Sequence, residues 1–188
     1  MSLSVRVIDS TNELFEAVLN LRALHLGENP AQEDEYERRE ALRDAFSYHL
    51  IYLDGADVVG TLRVTPLGHG LSFVERAVDV YAHFAAPTDA FDANRLVLDV
   101  RYRGGRHLRT FLLHAAIWLR TNTHLRFISA LCREQLAALY IDLGGRVLSD
   151  EVTWATGQAE RRYSWVYLEL ENVYHTVQGG KRNAIVFQ

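Results

Sequence analysis

The stretch Arg95-Leu96-Val97-Leu98-Asp99-Val100-Arg101-Tyr102-Arg103-Gly104-Gly105-Arg106-His107-Leu108 decides how this chain is read. Residues 95–100 are apolar on both faces, the pattern of a strand in the middle of a sheet. A Gly/Arg turn follows, and then a strongly apolar helix over 108–120. Strand, glycine turn and helix in that order can hold an anion. Free N–H groups and the positive dipole end at a helix start attract phosphate. Gly104 and Gly105 let the backbone come close, and Arg103 and Arg106 add charge-assisted contacts, with His107 as a further donor. A tight connection with two solvated arginines has the same sequence. The turn lacks the Gly-Lys-Ser/Thr ending of a Walker A loop and the Gly-x-Gly-x-x-Gly spacing of a dinucleotide site.

Working outward, the spacing predicts alternating elements. Residues 5–8 form a strand, and Asp9, Ser10 and Thr11 offer N-caps to a helix over 13–25, stopped by Gly27 and Pro30. A charged, exposed helix is expected over 33–45. Strands at 48–53 and 57–66 join at the hairpin signal Asp54-Gly55. An inserted helix over 71–84 carries Phe73, Val80, Tyr81 and Phe84, and 87–92 reads as a loop. Beyond the central helix come a strand at 126–131, a helix at 134–143 closed by Gly144-Gly145, and strands at 147–155 and 163–170 joined by a loop with Gly157. The late strand alternates Tyr163, Trp165 and Tyr167, either a core face or the wall of an acyl pocket. Helices alternate with strands in the middle and hairpins flank them. The expected class is α/β, a mixed sheet with helices on both faces.

The chain has 188 residues with no repeat or linker, so one domain over 1–188 is expected. A hydrophobic share of 48% and a charged share of 23% fit a globular core and exclude a disordered chain. No apolar run approaches the ~20 residues of a membrane span, and residues 1–10 read as strand and turn rather than a secretory signal. The single cysteine, Cys132, excludes an internal disulfide and fits a reducing cytoplasm. Eight histidines show no close ligand spacing, so no metal is expected. The net charge of −4 gives no general attraction to nucleic acid. Lys181 is the only lysine; the arginine bias suits anionic ligands, although genomic base composition produces it too.

The central run resembles the acyl-CoA-binding motif of the GNAT N-acyltransferase superfamily, a strand, then Arg/Gln-x-x-Gly-x-Gly/Ala, then a helix. Tyr102-Arg103-Gly104 matches the start of that motif and Phe111-Leu112-Leu113 the helix after it. Arg106 and Leu108 stand where the family has glycine or alanine. The stretch 137–145, with Ala137, Tyr140 and Gly144, is similar to the family's later helix end. A narrower resemblance is to autoinducer (acyl-homoserine-lactone) synthases and N-acyl amino acid synthases. It rests on the order of Arg22, the acidic Asp34-Glu35-Tyr36-Glu37, Gly60-Thr61-Leu62-Arg63, the inserted segment and Asp92-Ala93-Asn94-Arg95-Leu96. Asp92 replaces the usual Glu, and Asp44-Ala45-Phe46 is a rival for the acidic segment.

These resemblances imply a GNAT-like fold and a thioester donor: acetyl-CoA, a longer acyl-CoA or an acyl-carrier protein. The acceptor would be a small primary amine, such as an amino acid. Leu98, Val100, Arg103, Gly104, Gly105, Arg106, His107 and Leu108 would hold the donor, with amides near Val100 on the thioester oxygen. Tyr140 would be the general acid. Asp99, a carboxylate in an apolar strand, would have a raised pKa and serve as general base, or else pair with Arg95 or Arg101. Arg22, Arg63, Asp92 and Arg95 would meet the acceptor; Arg22 on a helix surface and exposed strand arginines are the plain alternatives. A non-catalytic acyl-CoA sensor is the competing function. A homodimer through an edge strand or a helix is left open.

Overall fold

Strands β2 (Tyr48–Asp54) and β3 (Asp57–Pro66) fold back on one another at Gly55, whose φ of 64° suits glycine. This hairpin seeds a seven-stranded sheet ordered β1-β2-β3-β4-β5-β7-β6, with β1 at Leu3–Ile8, β4 at Ala90–Leu98, β5 at Phe127–Cys132, β6 at Arg146–Thr156 and β7 at Ala159–Glu169. The computed structural model describes residues 3–26, 34–84, 87–156 and 159–179. Every neighbouring pair of strands is antiparallel except β4 with β5. The sheet is therefore mixed, as expected.

Helices cover both faces. On one, α1 (Phe15–Leu26) and Leu14 just before it set Val18, Leu14 and Phe15 against Ile51 and Leu53. On the other, α4 (Gly105–Asn122), α5 (Glu134–Asp142) and α6 (Leu170–Gly179) pack Phe111, Leu139 and Val173 onto Leu50, Tyr52, Ala130 and Val166. Side chains alternate across a strand, so Leu50 and Ile51 serve opposite cores. A further helix, α2 (Asp34–Ala45), lies over β3.

Three expectations need correction. The segment 71–84 is not one helix. It forms a five-residue α3 (Phe73–Ala77) and a 3-10 turn (Val80–Ala82), because Val78 is extended and Asp79 caps a new start. The Ser72/Glu75 capping box fixes the first piece. The central strand runs over Ala90–Leu98 rather than 95–100, so residues 90–92 leave the expected loop and Asp99 and Val100 leave the strand. Helix α6 was not expected at all, although Leu170, Val173 and Val177 have helical spacing and are buried. The stop at Gly27 and Pro30 and the loop at Gly157 lie outside the described residues.

Candidate active site

The parallel β4–β5 ladder has only three residue pairs, Ala90 with Phe127, Phe91 with Ile128 and Asp92 with Ser129. Both strands continue, β4 to Leu98 and β5 to Cys132, without further pairing to each other. The sheet thus opens into a slot at its centre, and β4 backbone groups there lack a ladder partner on that side. A bulge marks β4 at the opening. Thr61 faces Val97 while Arg63 faces Asn94, so β4 carries one extra residue. Arg95 in that bulge has φ 56°, the one positive φ among the described non-glycine residues.

Asp92 sits where the slot begins. It is 1% exposed. Its Oδ2 accepts from the Phe73 N–H at 3.1 Å, while its buried Oδ1 has no partner. Burial pushes its carboxyl up to about 6, against the nearby Arg63 charge. Tyr140 comes from α5 on the opposite face. Burial raises the pKa of its hydroxyl, and the Cys132 thiol and Asp92 carboxyl add to the rise. Two glycines hold this helix end: Gly144 turns the chain at φ 89°, and a Cβ on Gly145 would meet Leu168 Cγ at 2.6 Å and the Tyr140 carbonyl oxygen at 2.7 Å. Asp92 and Tyr140, a carboxylate and a phenol, thus flank one slot.

Below the slot opening lies a buried ionic cluster. Arg22 Nη1 reaches Asp44 Oδ1 at 3.0 Å, and Arg63 Nη1 reaches Asp44 Oδ1 and Glu40 Oε2, each at 2.9 Å. Arg95 Nη2 meets Glu40 Oε2 at 2.8 Å, and Arg43 also pairs with Glu40. Burial works against the Glu40 charge, but Arg63, Arg95 and Arg43 outweigh it and hold its carboxyl at about 2. Arg22 and Arg63 are each 2% exposed, which removes the alternative of surface arginines. Of the two acidic stretches, Asp44 is the one that meets the arginines. Glu37 is exposed, and the side chains of 34–36 lie outside the described residues. The sequence reading missed Glu40, Arg43 and His49. Glu40, Arg43 and Asp44 recur at i, i+3 and i+4, which places them on one side of α2.

The glycine turn is placed as expected, with changes of detail. Gly104 is the N-cap of α4, without a side-chain cap, and Gly105 is its first residue. Leu108 does not line the turn. Its side chain is 3% exposed in the core and its N–H bonds the Gly104 carbonyl. Arg103 points away, its Nε donating to the Leu98 carbonyl at 3.1 Å and Nη2 to His25 Nδ1 at 3.0 Å. Arg106 is exposed and close enough to Tyr52 to influence its hydroxyl, and His107 Nδ1 lies 3.4 Å from that hydroxyl. Val100 is on a 3-10 turn beyond the strand and exposed, which removes it from the slot wall. Asp99 is not a raised base. It caps that turn, and its hydrogen bonds and ion pair with Arg101 lower its pKa. The alternative reading, a salt bridge, is the one realised.

Trp165 and Tyr167 belong to a second apolar cluster with Val80 and Phe84, and the Trp165 indole N–H donates to Ser129 Oγ at 2.8 Å. Tyr81 is exposed. None of the helices over the described residues is long and apolar enough to cross a membrane.

No family model matches the chain, and no curated protein does. Solved structures do. The CoA-dependent acyl-homoserine lactone synthase BjaI, solved with SAM and isopentyl-CoA, aligns with TM-score 0.65 at 15% identity over 96% of this chain and 91% of its own. A second CoA-dependent acyl-homoserine lactone synthase, MesI, gives 0.63 at 15% over 94% of each. An acetyltransferase of the GNAT family from Streptococcus pneumoniae gives 0.57 at 14%, over 89% of this chain and 99% of its own. The chain has the fold these N-acyltransferases share.

Proposed function

We propose that this protein is a GNAT-type N-acyltransferase that moves an acyl group from an acyl-CoA thioester to a primary amine. The observation that carries the reading is the slot opened after the Asp92–Ser129 pair, with Asp92 and Tyr140 on its two sides. The donor's pantetheine would lie in that slot, its amides replacing the missing β5 partner. Its phosphates would meet the N–H groups of Gly105, Arg106 and His107 at the start of α4 and the Arg106 guanidinium. The amine attacks the thioester carbonyl, a C–N bond forms and the C–S bond breaks. Asp92 takes the proton of the amine. A carboxyl poised at about 6 is well matched to that task near neutral pH. Tyr140, whose raised pKa keeps its proton in place, gives that proton to the departing sulfur. Most of the rate gain then comes from orientation and from polarising the carbonyl.

The ionic cluster suits the acceptor. Arg22, Arg43, Arg63 and Arg95 outnumber Glu40 and Asp44, and the surplus positive charge would receive an acceptor with an anionic group, such as an amino acid. An acyl-carrier protein offers the same pantetheine arm, and competition between it and CoA separates the two donors. The reading includes one domain, a cytoplasmic location and no metal. A sensor that binds acyl-CoA without turnover is the second reading, favoured by Arg103 turning away from the phosphate turn. The test is calorimetric titration with CoA, acetyl-CoA and decanoyl-CoA, followed by a free-thiol assay with a panel of amines. Binding with amine-dependent thiol release supports the enzyme. Binding without release for any amine leaves the sensor, and no binding of any CoA species removes both.

A further inference from the structure

His49 is 0% exposed, and the proposed reaction does not use it. It stands on β2 beside Arg22. Its Nδ1 is 2.9 Å from Arg22 Nη2, and its Nε2 is 2.9 Å from the Asp44 carbonyl oxygen. A guanidinium only donates and a carbonyl only accepts. The imidazole therefore carries its one proton on Nε2 and accepts from Arg22 at Nδ1. Phe15 packs edge-on to the ring at 4.7 Å and also lies under the Arg22 guanidinium. Arg22 is then held by His49 on one terminal nitrogen and by Asp44 on the other, and its buried Nε–H has no partner. A buried donor left unpaired is costly, so a ligand oxygen is its natural complement.

We propose that His49 is the positioning residue of Arg22: its Nδ1 lone pair fixes the guanidinium so that the Nε–H stays committed to the acceptor. The proposal rests on the preceding one in taking Arg22 as part of the acceptor site. The ring must be neutral for this, and its surroundings favour that form. Burial lowers its pKa to about 4, with the Asp44 carbonyl bond opposing and the Arg22 charge adding to the fall. The charges acting on the ring are Arg22, Asp44 and Arg63.

Two variants divide the two bonds. In His49→Asn, Oδ1 takes about the place of Nδ1 and can still accept from Arg22. In His49→Gln, the amide takes about the place of Nε2 and keeps the Asp44 bond but not the Arg22 bond. Nitrogen-15 NMR of the whole protein reads the His49 tautomer and the rotation of the Arg22 guanidinium. We expect the Nε2–H tautomer in the parent, a restrained Arg22 in the parent and in His49→Asn, and a measurably faster rotation of Arg22 in His49→Gln, where Asp44 alone still holds it, with similar melting temperatures for the two variants. An Nδ1–H tautomer, or an Arg22 equally restrained in all three, overturns the proposal whatever the activity. A protein that meets the NMR expectation but releases no thiol with any amine loses its proposed reaction and keeps this assignment. In the thiol assay, His49→Gln should raise the acceptor KM about tenfold or more, with His49→Asn close to the parent and the donor KM unchanged in both. An acceptor KM that rises equally in both variants assigns His49 a merely structural role.

Discussion

Replacing Asp92 by Asn should make this protein more stable and much less active. The carboxyl is buried, and its pKa stands at about 6 against an ordinary 3.8. About two pKa units at roughly 1.4 kcal/mol each put the cost of keeping it ionised near 3 kcal/mol. Its folded pKa is raised, so the unfolded chain gives up the proton first. Stability is lost as pH rises from about 4 to 6 and stays lost above that. Asn cannot ionise, and its Oδ1 can still accept from the Phe73 N–H. Burying its amide NH2 costs back on the order of 1 kcal/mol, which leaves a gain of about 2 kcal/mol at pH 7.5. Below the ordinary carboxyl pKa both side chains are neutral and the gain disappears. Urea unfolding of parent and variant at pH 7.5 and near pH 3.5 measures this, and thiol release should fall on the order of a hundredfold or more. A variant less stable than the parent at pH 7.5, or a difference independent of pH, would refute the placement of a strained carboxylate at the slot.

Tyr140→Phe should lower kcat on the order of a hundredfold while calorimetry finds CoA affinity unchanged; turnover within about twofold of the parent would give the acid role to water. Arg106→Ala should weaken CoA binding by about 1–3 kcal/mol, whereas Arg103→Ala should leave it nearly unchanged, because Arg103 is already engaged by Leu98 and His25. Equal losses for both would mean that Arg103 swings into the phosphate turn. Decanoyl-CoA should bind more tightly than acetyl-CoA, at up to ~0.8 kcal/mol for each buried CH₂ less the cost of ordering the chain and parting Phe84 and Tyr167. A competition assay ranking acetyl-CoA first would restrict the donor to a short acyl group.

The sheet and the glycine turn were legible because each has a local signature, alternation and a helix start, whereas Tyr140 was singled out only by the family resemblance. Asp92 stood out only through its place in the family resemblance, and its burial and strain did not show. Its environment comes from Phe73 and Arg63, far away in sequence. For Asp99 a raised base and a salt bridge were both open, and the salt bridge is the one found. Asp99 looked buried among apolar neighbours, yet the strand ends one residue earlier and leaves it to cap a turn. The ionic cluster was half visible. Arg22, Arg63 and Arg95 stood out as charges on apolar elements, but Glu40 and His49 gain their meaning only when α2 crosses β3. The break at Val78 was hidden because helical spacing of apolar residues persists across it.

The way α2 is attached has a consequence for divergence. Its inward residues Glu40, Arg43 and Asp44 are paired to arginines, a carbonyl and a histidine, while Ala41, Leu42 and Ala45 are exposed. The helix contributes little to the apolar interior, so substitutions on it and on its partners can be made together without opening cavities in the sheet. The end of α5, which carries Tyr140 beside the proposed donor slot, has no such freedom, since a Cβ on Gly145 would collide with Leu168 and the Tyr140 carbonyl. The two halves of the site are therefore under unequal constraint. Exchanging the charges of α2 and their partners is the shortest route from this chain to a protein with the same donor and a different acceptor.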